Sequence, residues 1–340
     1  MPRAAAWEKC TNQELLEWRI CDLGLELEGS GLEAPIERLY QELDRRHLRV
    51  RPHCWLSEEW FSPDGVPGIA IPFYLAHPRL KRLERSQILE VEGGTNAECL
   101  RLLRHEAGHA IQHAFRLHRR KRWRELFGST TEPYPDYYRP NPGSQRYVVH
   151  LPDWYAQSHP DEDFAETFAV WLTPGSRWRR KYFGWPALRK LEYVDELMRE
   201  LAGEKPPVRS RARPDPVHRI KTTLGEHYRA KRQRYSGLAS REYDQDLFRL
   251  FTPIEESSAR SPSAAAFLRT HRTEIRRNVA RSTGKNEFAL DVVLGEMIAR
   301  SRELKLRAVG QKRQLIVDFS ILLAARSVEF LYRGRDWHAL

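Results

Sequence analysis

The chain has 340 residues, of which 41% are hydrophobic, and it carries a formal net charge of +11. Its apolar runs are all shorter than the roughly 18 residues that a membrane-spanning helix needs, which argues against an integral membrane protein. The first residues lack the apolar core of a secretory signal, so we predict a cytoplasmic protein. The four cysteines form no CxxC pair, which favours free thiols over disulfides or a cysteine zinc site.

The first hundred residues mix helix and strand patterns. Residues 33–46 place apolar side chains at helical spacing, which predicts an amphipathic helix. Short apolar runs at 48–56, 67–75 and 88–92 predict strands. The second of them belongs at a sheet edge, because Pro72 cannot donate a ladder hydrogen bond. This mixture predicts an α+β fold for the N-terminal part of the chain.

A helix with a strong start signal follows these strands. Thr95 and Glu98 have the spacing of a capping box, in which each side chain bonds the backbone N–H of the other residue. The apolar spacing then continues the helix at least through His113. This helix contains the sequence HEAGH, which is an HExxH motif.

The spacing of the HExxH motif points to metal chemistry. His105 and His109 are one helical turn apart on the same face, where two imidazoles can bind one zinc ion. Glu106 lies beside that face and can act as general base on a zinc-bound water. His113 lies about 12 Å along the axis from His105, too far to share one ion, so we interpret it as a packing residue.

A second helix, over residues 160–172, offers a third ligand. Glu162 and Glu166 are one turn apart on this largely apolar helix, where a buried carboxylate needs a partner. We predict that Glu162 binds zinc and that Glu166 accepts the free ring N–H of His105 or His109. The alternative interpretation is a solvated acidic helix start that the helix dipole stabilises.

The composition of the remaining chain indicates a loop, a basic linker and a helical domain. Residues 128–153 are rich in Pro, Tyr and Gly and predict an ordered loop. Residues 204–235 contain ten Lys or Arg against three acidic residues, and the prolines among them favour a linker. Beyond residue 241 the apolar spacing is helical throughout. We therefore predict an N-terminal domain at 1–203, a basic linker at 204–240 and an all-α C-terminal domain at 241–340.

HEAGH, followed about fifty residues later by HPDEDFAETFAVWL, resembles the bacterial zinc-binding metallopeptidases of the gluzincin group. Their pattern is HExxH with a later helix carrying ExxAE, and the resemblance covers roughly residues 45–175. It implies a zincin-like fold for the N-terminal domain and Zn2+ as cofactor. It also implies that Glu162 is a zinc ligand and that Glu166 supports a ligating histidine.

A related group, the toxin-type gluzincins, places a tyrosine seven residues before the ligating glutamate. Tyr155 occupies that position here. The resemblance therefore implies that Tyr155 donates a hydrogen bond to the oxyanion formed during hydrolysis. His159 is a second candidate for that donor.

We predict from these patterns a zinc metallopeptidase that cleaves a peptide or amide bond in a peptide or protein substrate, with no membrane partner. An amidase acting on a small peptide would need the same metal chemistry. The main alternative is a basic protein that binds nucleic acid or a protein partner and has a structural or inactive zinc site. The basic residues between 204 and 235 are the feature that favours this alternative.

Overall fold

A computed structural model describes residues 6–135, 138, 140–235, 243–254 and 261–332. Over these residues the chain is rich in helices and contains two small sheets, which confirms the predicted α+β class. The chain divides into two compact units. The first comprises the described residues up to Gln87 together with Val91–Tyr228, and the second comprises Ile88–Glu90 and the described residues from Arg229 onward.

The helices and strands up to residue 235 are, in chain order, α1 (Asn12–Leu16), α2 (Glu33–Arg45), β1 (His53–Ser57), β2 (Gly68–Pro72), α3 (Pro78–Ile88), α4 (Asn96–Phe115), α5 (Lys121–Phe127), α6 (Pro160–Leu172), α7 (Trp178–Lys181), α8 (Ala187–Glu200) and α9 (Leu224–Tyr235). Short 3-10 turns connect several of them, including one at Pro152–Gln157. None of the helices within the described ranges combines the length and the apolar character that spanning a bilayer requires.

Strands β1 and β2 form a parallel pair, with His53 opposite Gly68. A side chain at position 68 would collide with its neighbour, because an added Cβ would lie 2.5 Å from the ring Cε1 of His53. On the other side of β2, the Ala70 N–H donates to the Phe61 carbonyl oxygen at 2.8 Å. The chain passing through Phe61 therefore covers part of the edge that Pro72 predicts to be open.

The strand pattern in the sequence is only partly confirmed. The runs at 48–56 and 67–75 correspond to β1 and β2, each shorter than predicted. The predicted strand at 88–92 is wrong, because Ile88 is the last residue of α3 and the following residues form a turn. A short apolar run cannot be distinguished by periodicity from the end of a buried helix, and this one continues the apolar spacing of α3.

Helices α4 and α6 pack against each other at the centre of the first unit, with α2 on the other side of α4 and α8 against α6. Their close approach depends on Gly108. A Cβ at that position would lie 2.7 Å from the Cα of Ala165 on α6. The missing side chain therefore allows the two backbones to approach closely enough for short side chains to meet between them.

The stretch rich in proline and arginine lies along β1. The ring Nε1 of Trp55 donates to the Pro214 carbonyl oxygen at 2.9 Å, and the Ser57 hydroxyl donates to the Asp215 carbonyl oxygen at 2.7 Å. The two compact units divide between Tyr228 and Arg229, whereas the sequence predicts a linker over residues 204–240.

The second unit is built mainly from helices around its own apolar core. Its elements are α10 (Asp244–Leu250), β3 (Thr252–Pro253), α11 (Ala264–Thr270), α12 (Arg272–Thr283), α13 (Glu287–Glu303), β4 (Leu306–Arg307) and α14 (Lys312–Tyr332). Strands β3 and β4 are antiparallel, with Thr252 opposite Arg307. The all-α prediction for residues 241–340 is wrong at this point, because strands of two residues are too short to produce an alternating pattern in the sequence. Leu294 and Met297 of α13 are fully buried in this core, and Phe319 of α14 joins them.

Candidate metal centre

Helix α4 begins with the capping box that the sequence predicts. The Thr95 N–H donates to Oε2 of Glu98 at 3.1 Å, and the Glu98 N–H donates to Oγ1 of Thr95 at 3.2 Å. The helix continues to Phe115 and ends where Arg116 adopts a left-handed conformation with φ 51°. The HExxH motif therefore lies in the interior of a well-capped helix, which holds its side chains in a defined orientation.

Three side chains that the sequence selects as zinc ligands converge on one point. The two Nε2 atoms of His105 and His109 are 3.2 Å apart. Oε2 of Glu162 is 3.0 Å from the first of them and 3.2 Å from the second. All three side chains are buried. Within the described ranges they form the one group of His, Cys, Asp and Glu residues that could hold a metal ion.

The distances in this triangle fit a zinc ion. Bonds of about 2.0–2.1 Å in tetrahedral geometry place neighbouring ligand atoms roughly 3.3 Å apart. The three observed separations, 3.0–3.2 Å, are close to that value. Two imidazoles and one carboxylate are also the ligand types that catalytic zinc sites use, with one further position left for water.

The hydrogen bonds of His105 also favour a cation at this point. Its Nδ1 lies 2.9 Å from Oε1 of Glu166, an ionised acceptor, so this nitrogen carries the proton in the neutral ring. The lone pair of Nε2 then points at the oxygen of Glu162, and two acceptors face each other. Although burial alone lowers the pKa of His105, its two carboxylate partners raise it to about 10. Either a second proton or a metal ion must therefore occupy this position.

Glu166 lies outside the converging group and contacts one of its members. Its Oε1 accepts from His105, and its Oε2 accepts from the backbone N–H groups of Leu151 (2.8 Å) and His150 (3.2 Å). Burial alone would raise the pKa of Glu166, but the hydrogen bonds from His105 and Leu151 and the charges of His105 and His150 together lower it. Of the two histidines that the sequence offered as its partner, the structure brings His105 to it.

The alternative of a solvated acidic helix start is wrong for α6. Glu162, Asp163 and Glu166 are at most 2% exposed. Asp163 forms an ion pair with Lys190 of α8, and burial raises its pKa to about 7. The carboxylates of α6 therefore need partners inside the protein, and each has one.

Glu106 is fully buried, and neither of its carboxylate oxygens has a hydrogen-bond partner among the described residues. Burial is the main cause that raises its pKa, while the two neighbouring histidines oppose that rise. An unpartnered buried carboxylate is costly, so it is retained where it interacts with a group that the protein chain does not supply. A water molecule or a substrate beside the three converging ligands is such a group.

Tyr155 and His159 have different surroundings. Tyr155 is buried in the 3-10 turn Pro152–Gln157, and its ring centroid lies 5.6 Å from that of His105. His159 caps α6, because its Nδ1 accepts from the Asp161 N–H at 3.2 Å, while its Nε2 donates to the Glu132 carbonyl oxygen at 2.9 Å. Both ring nitrogens are thus engaged, and His159 has no N–H left for an oxyanion.

Sequence reasoning missed Tyr134. Its hydroxyl donates to Oε1 of Glu162 at 2.8 Å, and its ring stacks on His159 with centroids 3.8 Å apart. No spacing rule connects a loop residue to a helix 28 positions later, so composition could only have indicated a tyrosine-rich loop. His113, by contrast, lies outside the converging group, with its Nε2 3.5 Å from Oδ1 of Asp64.

A match to a family model covers the segment that carries this geometry. Residues 96–174 match the family model described as "Putative zinc-binding metallo-peptidase". No curated protein and no solved structure matches the chain. The matched segment contains α4, α6 and every residue of the converging group. The resemblance to zinc-binding metallopeptidases that the sequence predicts is thereby confirmed for residues 96–174, the segment that carries the candidate metal centre.

Proposed function

We propose that this protein is a zinc-dependent hydrolase of the gluzincin type, with a zincin-like first unit, that cleaves peptide or amide bonds. One observation carries the proposal. The ring nitrogens of His105 and His109 meet the carboxylate of Glu162 beside a buried, unpartnered Glu106. The family match over the same segment supports zinc as the metal and proteolysis as the class of reaction.

Each residue of the site has a distinct task in this proposal. His105, His109 and Glu162 hold the ion, and Glu166 orients the ring of His105 through its Nδ1–H. When bound, zinc acts as a Lewis acid that polarises a carbonyl group and acidifies water. Glu106 takes a proton from the attacking water and delivers it to the leaving nitrogen.

Tyr155 is proposed as the hydrogen-bond donor for the oxyanion. Its ring lies beside that of His105, inside the same buried region as Glu106. A donor at this position would act on charge that develops during the reaction, where exclusion of water strengthens the interaction.

The proposed substrate is a peptide or protein, since the same metal chemistry serves both long and short amides. A second candidate partner is nucleic acid, which the arginine- and lysine-rich stretch before residue 235 favours. Binding to random DNA or RNA that weakens steeply with added salt would support this second function. If the protein cleaves peptides but does not bind nucleic acid in this way, only the hydrolase function remains supported.

The decisive test is Glu106→Gln, with zinc content and cleavage of a peptide library as readouts. The substitution keeps the size of the side chain and removes its basicity, so we expect full zinc content and turnover reduced by about 10²–10⁴-fold. Glu98→Gln is the matched control, because Glu98 is exposed on the same helix and glutamine is also compatible with a capping box. Full turnover in Glu106→Gln would show that this residue is not the base.

A further inference from the structure

The two oxygens of the Glu162 carboxylate have separate partners. Oε2 faces the two histidine nitrogens at 3.0 and 3.2 Å. Oε1 accepts a hydrogen bond of 2.8 Å from the hydroxyl of Tyr134. A free carboxylate can rotate about its last torsion and present either oxygen, or both, to a metal ion. Here the phenol engages one oxygen and leaves the other for the histidines.

The direction of the Tyr134 hydroxyl is set by His159. The two rings are nearly parallel, with an interplanar angle of 17° and centroids 3.8 Å apart. His159 is itself held at both nitrogens, by the Asp161 N–H at the start of α6 and by the Glu132 carbonyl oxygen. The stacked ring therefore belongs to the same rigid helix start as Glu162, and the tyrosine is aligned with the carboxylate that it contacts.

Tyr134 lies at the boundary between the site and solvent. The residue is 57% exposed, whereas Glu162 is 2% exposed. Its hydroxyl thus reaches inward to a buried carboxylate while much of the residue remains in contact with water. Because the residue lies at the surface, replacing it with phenylalanine removes the hydroxyl without deleting a side chain of the core, and its effect on Glu162 can be measured.

We propose that Tyr134 is a positioning residue that makes Glu162 a ligand through Oε2 alone. This inference rests on the proposed zinc site. By holding Oε1, the hydroxyl restricts the carboxylate to one orientation and preserves an open position for water and substrate. Outer hydrogen-bond partners of metal ligands typically change metal affinity by about 10–100-fold when they are removed.

The test compares Tyr134→Phe with Tyr138→Phe in the full chain. The Tyr138 hydroxyl donates to the Asp153 carbonyl oxygen at 3.0 Å, so its removal deletes one hydroxyl from the same loop without touching Glu162. The zinc dissociation constant is measured by competition with a chromophoric chelator. We expect it to rise by about 10-fold or more in Tyr134→Phe and by less than about twofold in Tyr138→Phe.

A second readout reports coordination directly. Cobalt(II) in place of zinc absorbs visible light strongly in four-coordinate sites and more weakly when a fifth ligand atom binds. We expect Tyr134→Phe to lower the absorption per cobalt ion, because the released Oε1 can then join Oε2 on the metal, and we expect Tyr138→Phe to leave it unchanged.

The outcomes separate this inference from the proposed function. A wild-type chain that binds no zinc overturns the metal site, and the role of Tyr134 with it. Wild-type binding with an unchanged dissociation constant and cobalt spectrum in Tyr134→Phe overturns the positioning role alone. An equal loss of affinity in Tyr138→Phe would assign the effect to the loop as a whole and would likewise contradict the role of the Tyr134 hydroxyl.

Discussion

The two units differ in the side chains that they bury at two places in their interiors: charged and imidazole groups between α4 and α6, and aliphatic groups on α13. Between α4 and α6 of the first unit, the chain buries His105, Glu106 and Glu162 almost completely. In the second unit, the buried face of α13 presents Leu294 and Met297, and its charged residues pair at the margin of the core. Burying charge is costly and burying methylene groups is favourable. Other buried carboxylates pair with basic side chains, as Asp163 does with Lys190 in the first unit and Asp246 with Arg326 in the second. What distinguishes the interior between α4 and α6 is therefore the group of converging ligands beside Glu106, whose carboxylate oxygens have no hydrogen-bond partner among the described residues.

The largest expected effect follows from removing one of the converging ligands. His109→Ala should lower zinc affinity by at least about a thousandfold, or ~4 kcal/mol, because a ligand contributes more than an outer partner does. Metal analysis of the purified variant measures the loss. His113→Ala is the control, since His113 lies one turn further along the same helix and outside the converging group. Stoichiometric zinc in His109→Ala would remove the basis for the site.

In the apolar interior, the corresponding change should affect stability instead. Leu294→Ala should reduce the free energy of unfolding by about 2–5 kcal/mol, because it leaves a cavity in a fully buried position. Zinc content should not change. Ile321→Ala, at a 64% exposed position on α14, should change stability by less than about 0.5 kcal/mol. Denaturant unfolding of the three proteins tests this contrast, and equal stabilities would contradict the assigned core.

Removing the metal should destabilise the helices of the candidate site and leave the helices of the second unit unchanged, without any mutation. Zinc at about 100 times its dissociation constant stabilises the state that binds it by about 2.7 kcal/mol. Addition of a chelator should therefore accelerate amide hydrogen exchange in α4 and α6 by up to about a hundredfold. The amides of α13 provide the internal reference and should exchange at unchanged rates. Uniform acceleration in all three helices would mean that zinc acts outside the proposed site.

The smallest effects are expected when a helix glycine is replaced by alanine, once in each unit. Gly108→Ala should reduce the free energy of unfolding by about 1–3 kcal/mol and weaken zinc binding, because the new Cβ meets the backbone of α6 at 2.7 Å. Gly295→Ala in α13 has the opposite expected sign. Its nearest neighbour is the flexible end of Arg272 at 3.5 Å, so alanine should stabilise the helix by about 0.5–1 kcal/mol. Thermal unfolding measures both, and a tolerated alanine at position 108 would contradict the close helix contact.

Much of the site could be predicted because its parts are local. The capping box of Thr95 and Glu98 places the start of α4 within a single turn. The spacing of His105 and His109 alone brings their rings to one face of that helix. The same kind of local rule failed at residues 88–92, where a short apolar run is compatible with either a strand or a helix end.

The contacts that join distant segments could be predicted only as hypotheses. The sequence predicts Glu162 as a ligand because a carboxylate on an apolar helix needs a partner, but its contact with the histidines depends on the packing of α6 against α4. Tyr134 was missed altogether, because a loop residue finds its partner through the folded path of the chain. The capping role of His159 was missed for the same reason, since its second hydrogen bond goes to Glu132 in that loop.

Local patterns along the chain thus predict which residues carry the chemistry: two imidazoles and a base on one helix, and a carboxylate on another. The three-dimensional packing decides whether they can act together. Gly108 against Ala165 sets the separation of the two helices, and Tyr134 stacked on His159 orients the carboxylate. The physical reason is that helical periodicity acts over a few residues, whereas a ligand triangle 3.0–3.2 Å on each side requires contacts between segments more than fifty residues apart.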